Sequence, residues 1–194
     1  GGVILDVLEI KQYLEENYSF STLHDCSEDD SNSQFLVQNR AIQVFDFDEI
    51  KVNEVKQRCF PSYTSLTSPD TLFFDKNNHL KLIEFKNSYS SDVKKPAVRI
   101  KCYEALILLK TRFDFKEYDK ITYILVDKGP KSNRRPSTHA FLGGRCPREL
   151  KILKQEFPNL EVECYQSKEF DKRCYSILNV PTDSWKKASD RTDL

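Results

Sequence analysis

Apolar residues recur along this chain with two different periods, and the changes between them mark out its elements. Ile4, Val7, Leu8 and Leu14 recur at helical spacing, which predicts an amphipathic opening helix over residues 3–16. Residues 25–33 are acidic and serine-rich and read as an exposed loop, and 35–45 as a strand or irregular segment. Asp46, Phe47 and Asp48 supply caps for a helix over about 49–58 that carries Glu49 and Glu54. Two runs rich in apolar and aromatic residues, 67–74 and 79–86, flank Asp75-Lys76-Asn77-Asn78; adjacent asparagines tolerate positive φ, so the segment predicts a β-hairpin.

A polar connection over 88–95 follows, and Pro96 suits the first turn of a long helix reaching about Phe113. Val98, Cys102, Ala105 and Leu109 line one face of it, and 105–109 is apolar nearly all round, so the helix should lie buried against a sheet. Residues 121–126 form a β-rich run suited to a buried strand. A basic loop with Gly143-Gly144 comes next, then a helix over about 147–157 with Leu150, Leu153 and Phe157 inward. A strand over 160–165 precedes a helix capped by Ser167 and carrying Phe170, Cys174 and Ile177. This order predicts an α/β (α+β) fold in one domain over 1–180, a central mixed sheet flanked by helices, with 181–194 as a loosely attached tail.

Composition narrows the class. The 194 residues suit one domain, and plentiful aromatics with scarce glycine argue against a disordered or fibrous chain. No apolar run is long enough to span a bilayer and no signal peptide is recognisable, so a cytoplasmic protein without a membrane partner is expected. The opening Gly1-Gly2, in place of methionine, suits a piece of a longer polypeptide. The six cysteines contain no C-x-x-C pair, which argues against structural zinc and for reduced thiols. Net charge is zero, yet residues 1–60 carry twelve acidic against five basic side chains and residues 128–154 eight basic against one acidic. Lys128, Lys131, Arg134, Arg135, Arg145 and Arg148 in the second stretch are candidates for gripping phosphates, with a solvated basic loop as the alternative.

The candidate chemistry lies in the hairpin. Pro69-Asp70 opens its first strand and Glu84-Phe85-Lys86 closes its second. Strand alternation sends Glu84 and Lys86 to one face and Ile83 and Phe85 to the other, and Asp70 converges on the charged face if the hairpin closes in register. Asp70, Glu84 and the Phe85 carbonyl offer the hard oxygen donors that Mg²⁺ or Mn²⁺ takes. Such an ion polarises a phosphoryl oxygen and generates hydroxide, and Lys86 can orient that water and offset transition-state charge.

This arrangement resembles the PD-(D/E)XK, or restriction-endonuclease-like, nuclease superfamily, which includes restriction endonucleases, Holliday-junction resolvases, DNA-repair nucleases and many bacterial proteins of undefined role. The resemblance covers about 47–127 and implies an αβββαβ core, metal ligation by Asp70 and Glu84, and a catalytic Lys86. A further acid from the helix before the hairpin is implied, with Glu54 the first candidate and Glu49 the second. His24 also invites comparison with viral cap-snatching endonucleases, which add an upstream metal-binding histidine. The expectation is a metal-dependent endonuclease acting on DNA ahead of RNA, its oligomeric state open and a homodimer admissible. Its rivals are a noncatalytic module binding nucleic acid or protein on the same fold, and an accidental motif in an unrelated α/β protein.

Overall fold

A computed structural model describes residues 6–29, 33–56, 66–113, 115, 120–131, 150 and 152–181. The chain folds as a single α+β domain whose six-stranded mixed sheet has four α-helices packed around it among these residues. The N-terminal part comprises helix α1 (Val7–Asn17), strand β1 (Phe20–Thr22), a two-residue ribbon of β2 (Glu28–Asp29) and β3 (Gln34–Phe35), strand β4 (Gln43–Asp46) and helix α2 (Phe47–Lys56). The hairpin strands β5 (Thr71–Phe74) and β6 (Leu80–Lys86) follow, then α3 (Lys95–Phe113), β7 (Ile121–Asp127), β8 (Leu160–Gln166) and α4 (Ser167–Leu178). The sheet order is β1-β4-β5-β6-β7-β8, antiparallel as far as β6 and parallel beyond it.

Local sequence explains these elements. A reciprocal capping box between Asp6 and Glu9 starts α1, and Ile10 and Leu14 enter the core. Leu8, expected on the apolar face, is exposed instead, and Ile4 lies outside the described residues. Asp46 caps α2 by accepting from the backbone N–H groups of Asp48 and Glu49. Asn78 takes φ +59° in the β5–β6 turn, while Asp75 Oδ1 accepts from the N–H groups of Asn77 and His79. Part of the expected 25–33 loop is structured as a 3₁₀ turn, Asp25–Ser27, running into β2, with Ser27 buried and bonded to Val37. Ser167 begins α4 without capping it; Gln166 holds the cap position and makes no side-chain cap bond.

Strand alternation divides the core into two layers. Leu72, Leu80, Leu82 and Leu125 pack with α1, α2 and α3 on one face, and Phe73, Ile83, Phe85 and Val126 with α4 on the other. Because β6 and β7 run parallel, a crossover must join them, and α3 supplies it across the first face. Cys26, Cys102, Cys164 and Cys174 are free thiols, and Cys59 and Cys146 lie outside the described residues. No helix among the described residues is long and apolar enough to cross a membrane.

Glu54 has a structural place in this layer rather than one beside the hairpin acids. It has no exposed surface, accepts from the hydroxyls of Tyr13 at 2.8 Å and Tyr18 at 2.7 Å, and pairs with Arg112. The cluster therefore ties α1, α2 and α3 together. Burial, with the Glu54 charge beside them, pushes both tyrosine hydroxyls above their usual range, so both act as donors. Truncating one partner of such a network strands buried polar groups, so Glu54→Ala should lower stability by roughly 3–5 kcal/mol in urea titration.

Candidate metal and phosphate site

Asp70 is fixed from three directions. Its N–H donates to Ile83 O at 3.0 Å, its carbonyl accepts from Phe47 N–H at 3.2 Å, and its Oδ2 accepts from Phe85 N–H at 2.6 Å. The preceding loop is tied to α3 through Thr67, whose hydroxyl donates to Glu104 at 2.6 Å, and to α2 through Ser68, whose hydroxyl donates to Asp48. These bonds hold Asp70 at the mouth of the hairpin, where alternation along β6 also delivers Glu84 and Lys86.

Glu84 has no exposed surface and is paired twice, with Lys86 and with Lys101 of α3. The Lys101 ammonium lies 2.9 Å from Glu84 Oε1, 3.1 Å from Oε2 and 3.6 Å from Asp70 Oδ1. Glu84 Oε1 makes no well-directed hydrogen bond among the described residues, so its partnership is with the two ammonium charges. The structure thus brings Asp70, Glu84 and Lys86 together and adds Lys101 from α3, a residue not among the sequence candidates. Asp48, read from the sequence only as a cap, stands at the rim with 57 % of its side chain exposed and pairs with Lys51 at 2.6 Å.

Electrostatics confirm one shared field. About 23 % of the Asp70 side chain reaches solvent, yet burial and the neighbouring Glu84 charge raise its pKa to about 7 against the opposing pull of Lys101, Phe85 N–H and Lys86. Burial works to lower the Lys101 ammonium, but Glu84, Asp70 and Asp48 outweigh it and hold its pKa above the usual value. Burial opposes the Asp48 charge too, and Lys51, Ser68 and Lys101 more than offset that. Tyr123 is fully buried on the same layer with no hydrogen-bond partner for its hydroxyl among the described residues, and burial with the Glu84 charge keeps it protonated. Burial, with Asp46 and Asp70 nearby, pushes the Cys26 thiol up to about 12, so it is no nucleophile at neutral pH.

No protein family, curated protein or solved structure matches the chain. The site's chemistry therefore rests on its own residues. Among the described residues, no group of three or more His, Cys, Asp or Glu side chains forms a ready cation cage. The donor set still fits Mg²⁺ or Mn²⁺ in kind, since Mg²⁺ characteristically takes one or two carboxylates and fills its remaining positions with water and substrate phosphate. Glu84 Oε1, buried with no hydrogen-bond partner among the described residues, and Asp70 Oδ1, which faces the same ammonium, are the oxygens such an ion would take.

The other sequence candidates lie elsewhere or at the margin. Glu54 is engaged with Tyr13, Tyr18 and Arg112 and does not join Asp70 and Glu84; Glu49 is exposed on the first turn of α2. His24 is buried and stacked on Phe35 at 3.9 Å, with its ring nitrogens each 3.0 Å from Asp25 and Arg40, so it is not free to ligate. Lys128 and Lys131 are exposed beyond β7; Lys128 N–H donates to Ser88 O, and Lys131 pairs with Asp92 at 2.9 Å. Arg134, Arg135, Arg145 and Arg148 lie outside the described residues.

The elevated Asp70 pKa has a definite sign for stability. The unfolded carboxyl ionises near 3.8 and the folded one near 7, so the benefit of the protonated form is complete below 3.8 and disappears as pH rises through 7. In metal-free buffer, Asp70→Asn should lie close to the parent at pH 4 and exceed its unfolding free energy at pH 8 by up to roughly 4 kcal/mol, read by urea titration at both pH values.

Proposed function

We propose that the protein is a Mg²⁺- or Mn²⁺-dependent phosphodiester hydrolase, a nuclease acting on DNA ahead of RNA. The observation that carries this reading is the convergence of Asp70, Glu84 and Lys86 on one side of a hairpin, with Asp70 held by Phe85 N–H and Glu84 by two ammonium groups. In this reading Asp70 and Glu84 hold the ion, with the Phe85 carbonyl as a further donor and Asp48 as the outer acid in place of Glu54. When bound, the ion would polarise the phosphoryl oxygen and lower the pKa of an attacking water. Lys86 would orient that water and offset charge on the phosphorane-like transition state.

The pattern of helix, antiparallel hairpin, crossover helix and parallel strand supports a restriction-endonuclease-like core, as the motif resemblance implies. Lys128 and Lys131 stand beside the loop that leaves β6, since Lys128 N–H bonds Ser88 O and Ser90 N–H bonds Gly129 O. That position suits them to contact a nucleic-acid backbone entering the site, a contact whose strength would fall with salt.

A second reading draws on the charge balance. Lys86 and Lys101 offset Asp70 and Glu84 without a metal, which also suits a noncatalytic module that binds nucleic acid or protein. One set of assays separates the two. Folded protein with Mg²⁺ or Mn²⁺ should cleave at least one of supercoiled, linear, branched or single-stranded DNA, or RNA. Asp70→Ala and Lys86→Ala should each reduce the rate by about 100-fold or more with an unchanged circular-dichroism spectrum. Intact substrates throughout, with nucleic-acid binding indifferent to metal and to Asp70→Ala, would establish the module instead.

A further inference from the structure

The Lys101 ammonium occupies the position that a cation shared by the two carboxylates would need. It pairs with both Glu84 oxygens and with Asp70 Oδ1, whereas Lys86 pairs with Glu84. A divalent ion bridging Asp70 and Glu84 and an ammonium in the same few ångströms repel strongly, the more so where burial weakens screening. We propose that Lys101 is a displaceable counter-ion: it holds Asp70 and Glu84 together in the metal-free protein, and a divalent cation binds by expelling it. The inference rests on the reading that these carboxylates take a metal, and it adds a competitor built into the chain.

The fold provides both the restraint and the exit. Lys101 sits on the second turn of α3, in the stripe formed with Val98, Cys102 and Ala105, so the helix that buries those three aims the lysine stem at the sheet. Its side chain, a flexible four-carbon stem with an ammonium tip, keeps 22 % of its surface exposed. Asp48 at the rim already contributes to stabilising the Lys101 charge, and it offers the ammonium a carboxylate on leaving. Lys101 thus spares two close carboxylates their mutual repulsion without metal, and it lowers the apparent metal affinity, because the competent state must first be reached.

The test is Mn²⁺ binding by the full chain, followed through the electron paramagnetic resonance signal of free aqueous Mn²⁺. Lys101→Met should bind Mn²⁺ about tenfold or more tighter than the parent, and Lys101→Arg, which keeps the charge, should bind no tighter than the parent. Parent binding with Lys101→Met equal or weaker overturns the counter-ion role and leaves the metal reading standing. No binding by any variant, or binding by Asp70→Asn as tight as the parent's, overturns the metal reading and this inference with it. Should Lys101→Met not fold, Lys101→Gln serves in thermal denaturation, where Mn²⁺ should raise its Tm by more than the parent's. An equal or smaller rise overturns the proposal.

Discussion

Burying Glu84 governs how the layers of this protein meet. A carboxylate with no exposed surface is costly unless its charge is matched, and β6 alone supplies one match, through Lys86 two residues along. The second comes from Lys101, which requires α3 to cross the sheet with one particular face toward the C-terminal end of β6. Packing of Val98, Cys102 and Ala105 from that face then follows the same geometry. The charged cluster and the apolar core thus select one docking of the helix, and the loop bonds from Thr67 and Ser68 bring Asp70 to the same place.

A similar arrangement at the far end of the layer has the opposite consequence. Glu54 is also fully buried, but its partners are two hydroxyls and Arg112, and together they join three helices. Asp70, by contrast, retains 23 % of its surface and a pKa near 7. One buried carboxylate is satisfied and structural; the Asp70–Glu84 pair is held in check by an ammonium that could be exchanged. That difference separates a fold-stabilising anion from a candidate reactive one.

Much of this was legible in the chain because strand periodicity is strict. With a period of two, Glu84 and Lys86 had to share a face opposite to Ile83 and Phe85, and the asparagine turn placed Asp70 near them. Helical phase was harder to read. Asp48 and Glu54 are six residues apart, which rotates them by about 120° around α2, and nothing in the short helix showed which side met the hairpin. Lys101 carried a usable signal: positions 98, 101, 102 and 105 follow the i, i+3, i+4, i+7 pattern, so a lysine stood within a core stripe. The nearly all-round apolar character of α3 concealed that stripe. His24 shows the converse, since a histidine's availability depends on what its two nitrogens already touch, here Asp25 and Arg40.

Asp70 and Glu84 are proposed to form one cation position together, now shared with Lys101. Anomalous diffraction from crystals of the full chain soaked in Mn²⁺ tests it most directly. The expected result is a peak within direct coordination distance of a carboxylate oxygen of each residue, with the Lys101 ammonium moved away toward Asp48. A saturating soak with no peak there, and Lys101 still paired with both carboxylates, would contradict it.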